Sequence, residues 1–101
     1  MAKEIWIGLV RVRPTPGRSS PLSGAKGATV HAMAYVESAD EFSRLVAKEL
    51  REMNLMAERV DELDLLENKI EGTEPTAELF NVVEELTENG GVRFDDFEPF
   101  E

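Results

Sequence analysis

Residues 28–54 read ATVHAMAYVESADEFSRLVAKELREMN, and the change of hydrophobic period inside this stretch decides the fold. Over 28–37, Val30, Ala32, Ala34 and Val36 alternate with His31, Met33 and Tyr35, the period of two that marks a strand. The small-residue side predicts a face that lies under a helix. Ser38 and Glu41 then form an S-x-x-E capping box, in which each side chain satisfies the other's free amide at a helix start. Beyond it Phe42, Leu45, Val46, Leu50 and Met53 recur at i, i+3, i+4 spacing, which gives a helix one apolar face. Asn54 tolerates the left-handed conformation and is the expected stop.

Upstream, residues 4–13 (EIWIGLVRVR) place Ile5, Ile7 and Leu9 on one parity and Trp6, Val10 and Val12 on the other, a strand with both faces largely covered. Residues 14–27 hold three of the five prolines and three of the seven glycines, predicting a long flexible loop between two strands that pair as an antiparallel hairpin. Downstream, weak alternation over 55–63 reads as an edge strand with a wet face. Leu65, Leu66 and Ile70 suit a short helical turn or a tucked loop, and Gly72, Thr73 and Pro75 mark a break before a second long helix over 75–88. That helix presents Leu79, Val82, Val83 and Leu86, with Phe80 alongside, and Asn89-Gly90-Gly91 stops it. Val92, Phe94, Phe97 and Phe100 complete the chain as a short strand or docked tail interrupted by Pro99. The expected architecture is a single α+β domain over 1–101. It is a two-layer sandwich with a mostly antiparallel sheet of about four strands, order β-β-α-β-α-β, and both long helices on one face.

With 101 residues and 42% hydrophobic composition the chain has enough apolar surface for one core. Cysteine is absent, which removes disulfides, thiolate nucleophiles and sulfur-bound metals and fits a reducing compartment. The opening MAKEIWIGLV lacks the basic, apolar and small-residue succession of a leader, and no window approaches a membrane span, so a cytoplasmic location with no membrane partner is expected.

Reaction chemistry finds little purchase. His31 is the only histidine, and the sequence supplies neither a partner nor a pocket for a general base. Ser38 is explained as a cap, and Ser19, Ser20 and Ser23 lack the G-x-S-x-G context of a nucleophile. Carboxylate pairs such as Asp95-Asp96, Asp61-Glu62 and Glu84-Glu85 are expected by chance in so acidic a segment, where solvated faces account for them. Asp61, Glu62, Asp64 and Glu67 lack the spacing and glycine of a calcium loop, and Lys26 is followed by Gly27 rather than the Ser or Thr of a phosphate loop. The expectation is a protein that is not an enzyme, with no cofactor and no metal. Arg11, Arg13, Arg18 and Lys26 make a small basic patch at the hairpin loop, but a net charge of −10 argues against nucleic acid as a partner.

That charge is unevenly placed. Residues 58–101 hold 15 of the 21 acids with three bases, a local −12, whereas residues 1–57 come to +2 from eight bases and six acids. Such a field repels nucleic acid and speeds encounter with a basic protein. Solubility alone is the simpler account of the same charge.

Small size, absence of cysteine, absence of a catalytic set, acidity and an α+β pattern together make the whole chain resemble the bacterial immunity proteins that neutralise secreted toxin domains, as in contact-dependent growth inhibition systems. The likeness is one of general character and rests on no motif, so it assigns no residue a role. It implies a cognate toxin, often a basic nuclease, bound and blocked in the cytoplasm of the producing cell. On the charge argument, Asp61, Asp64, Glu67, Glu71, Glu74, Asp95 and Asp96 are the expected partner-binding residues of a monomer or weak dimer, with Phe97 and Phe100 as candidate apolar anchors or core residues. The competing expectation is a ferredoxin-like, small-molecule-sensing regulatory domain acting as a homo-oligomer, with loop 14–27 as a lid.

Overall fold

In the computed structural model, which describes residues 2–17, 19, 22, 25–70, 72, 74 and 76–100 (Phe100 by its backbone alone), alternation in the first two strands sets the core. Strand β1 (Glu4–Pro14) pairs antiparallel with β2 (Gly27–Val36) in a register that sets Trp6 opposite Ala34, Val10 opposite Val30 and Val12 opposite Ala28. Paired residues point to the same side, so the two strands present one shared apolar face. Along it Val10, Val12, Ala28, Val30, Ala32, Ala34 and Val36 are all buried.

Helix α1 (Ala39–Glu52) covers that face with Phe42, Val46 and Leu50, each completely buried. Burial of side chains this size contributes about 1.5–3 kcal/mol apiece. The short alanines of β2 leave room for the helix, and Gly8 of β1 goes further. A Cβ there would lie 3.1 Å from Val60, 3.2 Å from Leu63 and 3.4 Å from Phe42. Ser38 caps the helix as expected, its Oγ accepting from the Glu41 amide at 3.2 Å. The reciprocal half of the box differs: the Glu41 carboxylate accepts from the amide of Glu37, one residue before the cap. Asn54 adopts φ 60° just past the helix, as its position predicts.

Strand β3 (Leu55–Leu65) lies on the other side of β1 and forms one edge of the sheet. Its register slips twice against β1, between Ile7 and Leu9 and between Arg11 and Val12. Each slip inserts an extra β3 residue, and Glu62, at φ 52°, occupies the first. Helix α2 (Leu66–Lys69) and helix α3 (Ala77–Asn89) follow, the latter capped by the Thr76 hydroxyl accepting from the Leu79 amide at 3.1 Å. Gly90 and Gly91, both at positive φ, end α3, and the Gly90 amide donates to the Leu86 carbonyl. Strands β4 (Val92–Phe94) and β5 (Glu98–Phe100) both pair antiparallel with β2, giving an order β3-β1-β2 with β4 and β5 along the far edge.

The α+β class and the antiparallel sheet agree with expectation, the order β-β-α-β-α-β gaining the short α2 before α3 and a tail split into β4 and β5, and the two-layer core consists of the sheet and α1. The two long helices, expected on one face of the sheet, lie on opposite faces. Leu79 and Val82 of α3 face a cleft whose other wall is Ile7, Leu9, His31 and Met33, the parity turned away from α1. The main core lies on the α1 side, and Leu66 and Leu86 are buried apart from it. The physical reason is that Ile5, Ile7 and Leu9 make the second face of β1 apolar, so it too requires cover.

In the loop after β1, Leu22 is buried in the main core and the side-chain Nδ2 of Asn54 donates to the Ser19 carbonyl at 2.9 Å. The Thr15 amide bonds the Asn54 carbonyl at the same distance, so the described parts of this connection are tied to the end of α1.

Candidate functional site: an acid-rimmed cleft

The cleft between α3 and the second face of the sheet has a volume of about 830 Å³. Ile7, Leu9, Met33, Leu79 and Val82 give it apolar walls, while Glu62, Glu78, Asp95 and Asp96 bring four carboxylates to it. Lys69, Arg93 and His31 also line it, so among the described residues carboxylates outnumber the permanent cations by two to one.

Each charged group arrives by a local device. The two Asp residues sit between β4 and β5, where the chain steps away from β2, and the Asp95 amide donates to the His31 carbonyl at 3.0 Å. Asp95 Oδ1 in turn accepts from the Asp96 amide at 2.8 Å, fixing the turn that holds both carboxylates beside His31. Arg93 pairs opposite Met33 and so shares its face. Glu62 comes from the first β3 bulge and Glu78 from the first turn of α3, where a carboxylate also interacts favourably with the helix dipole.

The expected site residues divide between this cleft and other surfaces. Asp95 and Asp96 reach the cleft. Asp61, opposite Leu9, is bound to Arg59 through a 2.8 Å ion pair, which offsets its charge. Asp64, opposite Ile7, accepts from the Leu65 amide at 2.7 Å and from Asn68 Nδ2 at 2.9 Å. Those bonds, the Asn68 one foremost, hold its carboxyl below the usual aspartate range, with Lys69 adding a smaller push in the same direction. Glu67, on α2, is exposed at a separate apolar groove, and Glu74 is exposed in the connection before α3. Glu71 lies outside the described residues, as do Arg18, Ser20, Ser23 and the Phe100 side chain. Phe97 packs against the main core, its ring centroid 6.1 Å from that of Phe94. Among the described residues the exposed aromatic is Phe80, at 61%.

Glu78, Lys69 and Arg93 are not among the expected site residues, and Glu62 enters the sequence reading only as part of a chance carboxylate pair and a rejected calcium loop. The Thr76 cap is the one signal that locates Glu78 on the helix; a strand bulge at a glutamate leaves no comparable mark. The His31 ring is exposed beside the two Asp residues and makes no hydrogen bond among the described residues. Nor do described His, Asp and Glu residues group so as to hold a metal ion, and no described helix is long and apolar enough to cross a membrane.

Chemically, the arrangement can accept a group that is cationic at one end and apolar along its stem. Carboxylates attract the charge and the aliphatic walls cover the methylenes, as with Lys or Arg side chains that bury a stem beneath a charged head. The fold and the site together define an open antiparallel α+β domain with a mixed acidic and apolar cleft beneath α3. No family model, curated protein or solved structure matches the chain.

Proposed function

We propose that this chain is a small inhibitor that binds and neutralises a basic protein, of the kind represented by immunity proteins against secreted toxin domains. The observation that carries this reading is the cleft, where four carboxylates border aliphatic walls of a size that takes Lys or Arg side chains. The local −12 of residues 58–101 steers a basic partner towards this half of the molecule. Inhibition follows from occupancy: a toxin domain that commits its basic, phosphate-binding residues to this surface cannot apply them to nucleic acid. In this reading the protein is cytoplasmic, has no enzymatic activity and acts as a monomer or weak dimer.

The test is to mix the purified protein with the basic toxin domain encoded beside its own reading frame and to assay the toxin. Full loss of toxin activity at one equivalent is expected; undiminished activity at excess inhibitor overturns the reading.

A second reading has its own support. A cleft of about 830 Å³ also falls in the range that holds drug-sized ligands, roughly 300–1,000 Å³. A small-molecule-sensing, homo-oligomeric regulatory domain is therefore the alternative, and a stable oligomer with a bound metabolite after purification would favour it.

A further inference from the structure

A separate groove lies on the other side of Leu79, walled by Ile5, Leu65, Ile70, Phe80 and Val83, with a volume of about 310 Å³. Among the described residues its charged lining consists of Glu4 and Glu67, and Glu84 stands one helical turn beyond Phe80. Phe80 is 61% exposed, the largest exposed apolar side chain among the described residues. Exposure of an aromatic ring at an apolar groove inside an acidic rim is the anatomy of an interface anchor point, where a few apolar contacts supply most of the affinity and charges set approach.

We propose that this groove receives an apolar residue of the basic partner, carried on a segment with Lys or Arg on either side of it. The proposal rests on the inhibitor reading and assigns the two surfaces different work. The large cleft takes cationic side chains, and the Phe80 groove takes the apolar anchor. The two share Leu66, Ile70 and Leu79, so one continuous partner segment reaches both. A second copy of this chain is the poorer occupant, because it would bring Glu4, Glu67 and Glu84 against their own counterparts.

The probes are the fluorescent hexapeptides KKLFKK and KKSSKK, titrated by anisotropy at low salt. The wild type is expected to prefer KKLFKK by about 10-fold or more. Phe80→Ser abolishes that preference, whereas Asp95→Asn with Asp96→Asn, in the large cleft, retains it. Phe80 is exposed, and an unchanged circular dichroism melt confirms that its replacement folds. Equal affinity for the two peptides overturns the proposal, and so does a preference that survives Phe80→Ser. Sedimentation that reveals a dimer lost in Phe80→Ser overturns it in favour of self-association. Failure of the toxin assay with the peptide preference intact refutes the inhibitor reading and leaves the groove's preference for apolar, base-flanked segments standing.

Discussion

Asp64 shows how a carboxylate that looks like surface charge in the sequence is put to structural use. It accepts two hydrogen bonds at the junction of β3 and α2, and its acidity is raised accordingly. A depressed folded-state pKa contributes stability that is present above the unfolded value and is lost as pH falls through the folded one. Asp64→Asn is therefore expected to destabilise the protein at pH 7, and the gap between the two proteins should narrow as pH falls below the usual aspartate range. Urea unfolding of both across pH 2–7 checks this; a gap that is constant or widens towards acid contradicts it. Gly8 is a contrasting case. The sequence offers it as an interruption in an apolar strand, and only the packing of Val60, Leu63 and Phe42 around it explains why no side chain fits comfortably.

At the scale of elements, α1 and α3 are both capped amphipathic helices, yet they are held unequally. α1 buries Phe42, Val46 and Leu50, whereas α3 buries Leu86 alone and sits above a cleft. Few buried apolar contacts imply a lower free energy of local opening. Amides of α3 are expected to exchange with deuterium on the order of 10-fold or more faster than the central amides of α1. Equal protection of the two helices contradicts this placement.

The elements themselves were legible because period two gave way to period 3.6 at Ser38, and Asn54 and Asn89-Gly90-Gly91 punctuated the helix ends. Two things were not legible. The side of the sheet that α3 covers depends on both faces of β1 being apolar, a tertiary outcome that helical periodicity does not encode. The bulges of β3 set Asp61 opposite Leu9 and Asp64 opposite Ile7, although the two aspartates have opposite parity in the sequence. Of the expected acidic set, Asp95 and Asp96 line the large cleft, whereas Asp61 is ion-paired with Arg59, two positions away on the same strand.

For the whole molecule, the position of charge matters more than its total. The half of the chain that carries −12 also supplies every carboxylate of the large cleft, and the apolar Phe80 groove adjoins it. The acidic half of the chain flanks the cleft from both edges of the sheet, through Glu62 of β3 and through Asp95 and Asp96 after β4, so charge that acts at range stands beside apolar walls. Steering by exposed charge weakens as salt shortens the Debye length from about 30 Å at 0.01 M to about 8 Å at 0.15 M.

The most direct measurement is the stopped-flow association rate with the basic toxin domain as a function of ionic strength. It should be made for the wild type and for the variant carrying Glu62→Gln, Glu78→Gln, Asp95→Asn and Asp96→Asn. The wild-type rate is expected to fall about 10-fold or more between 0.01 and 0.15 M salt, and the variant to associate more slowly with a shallower dependence. Identical rates and salt slopes for the two proteins would contradict the claim that this cleft draws in a cationic partner.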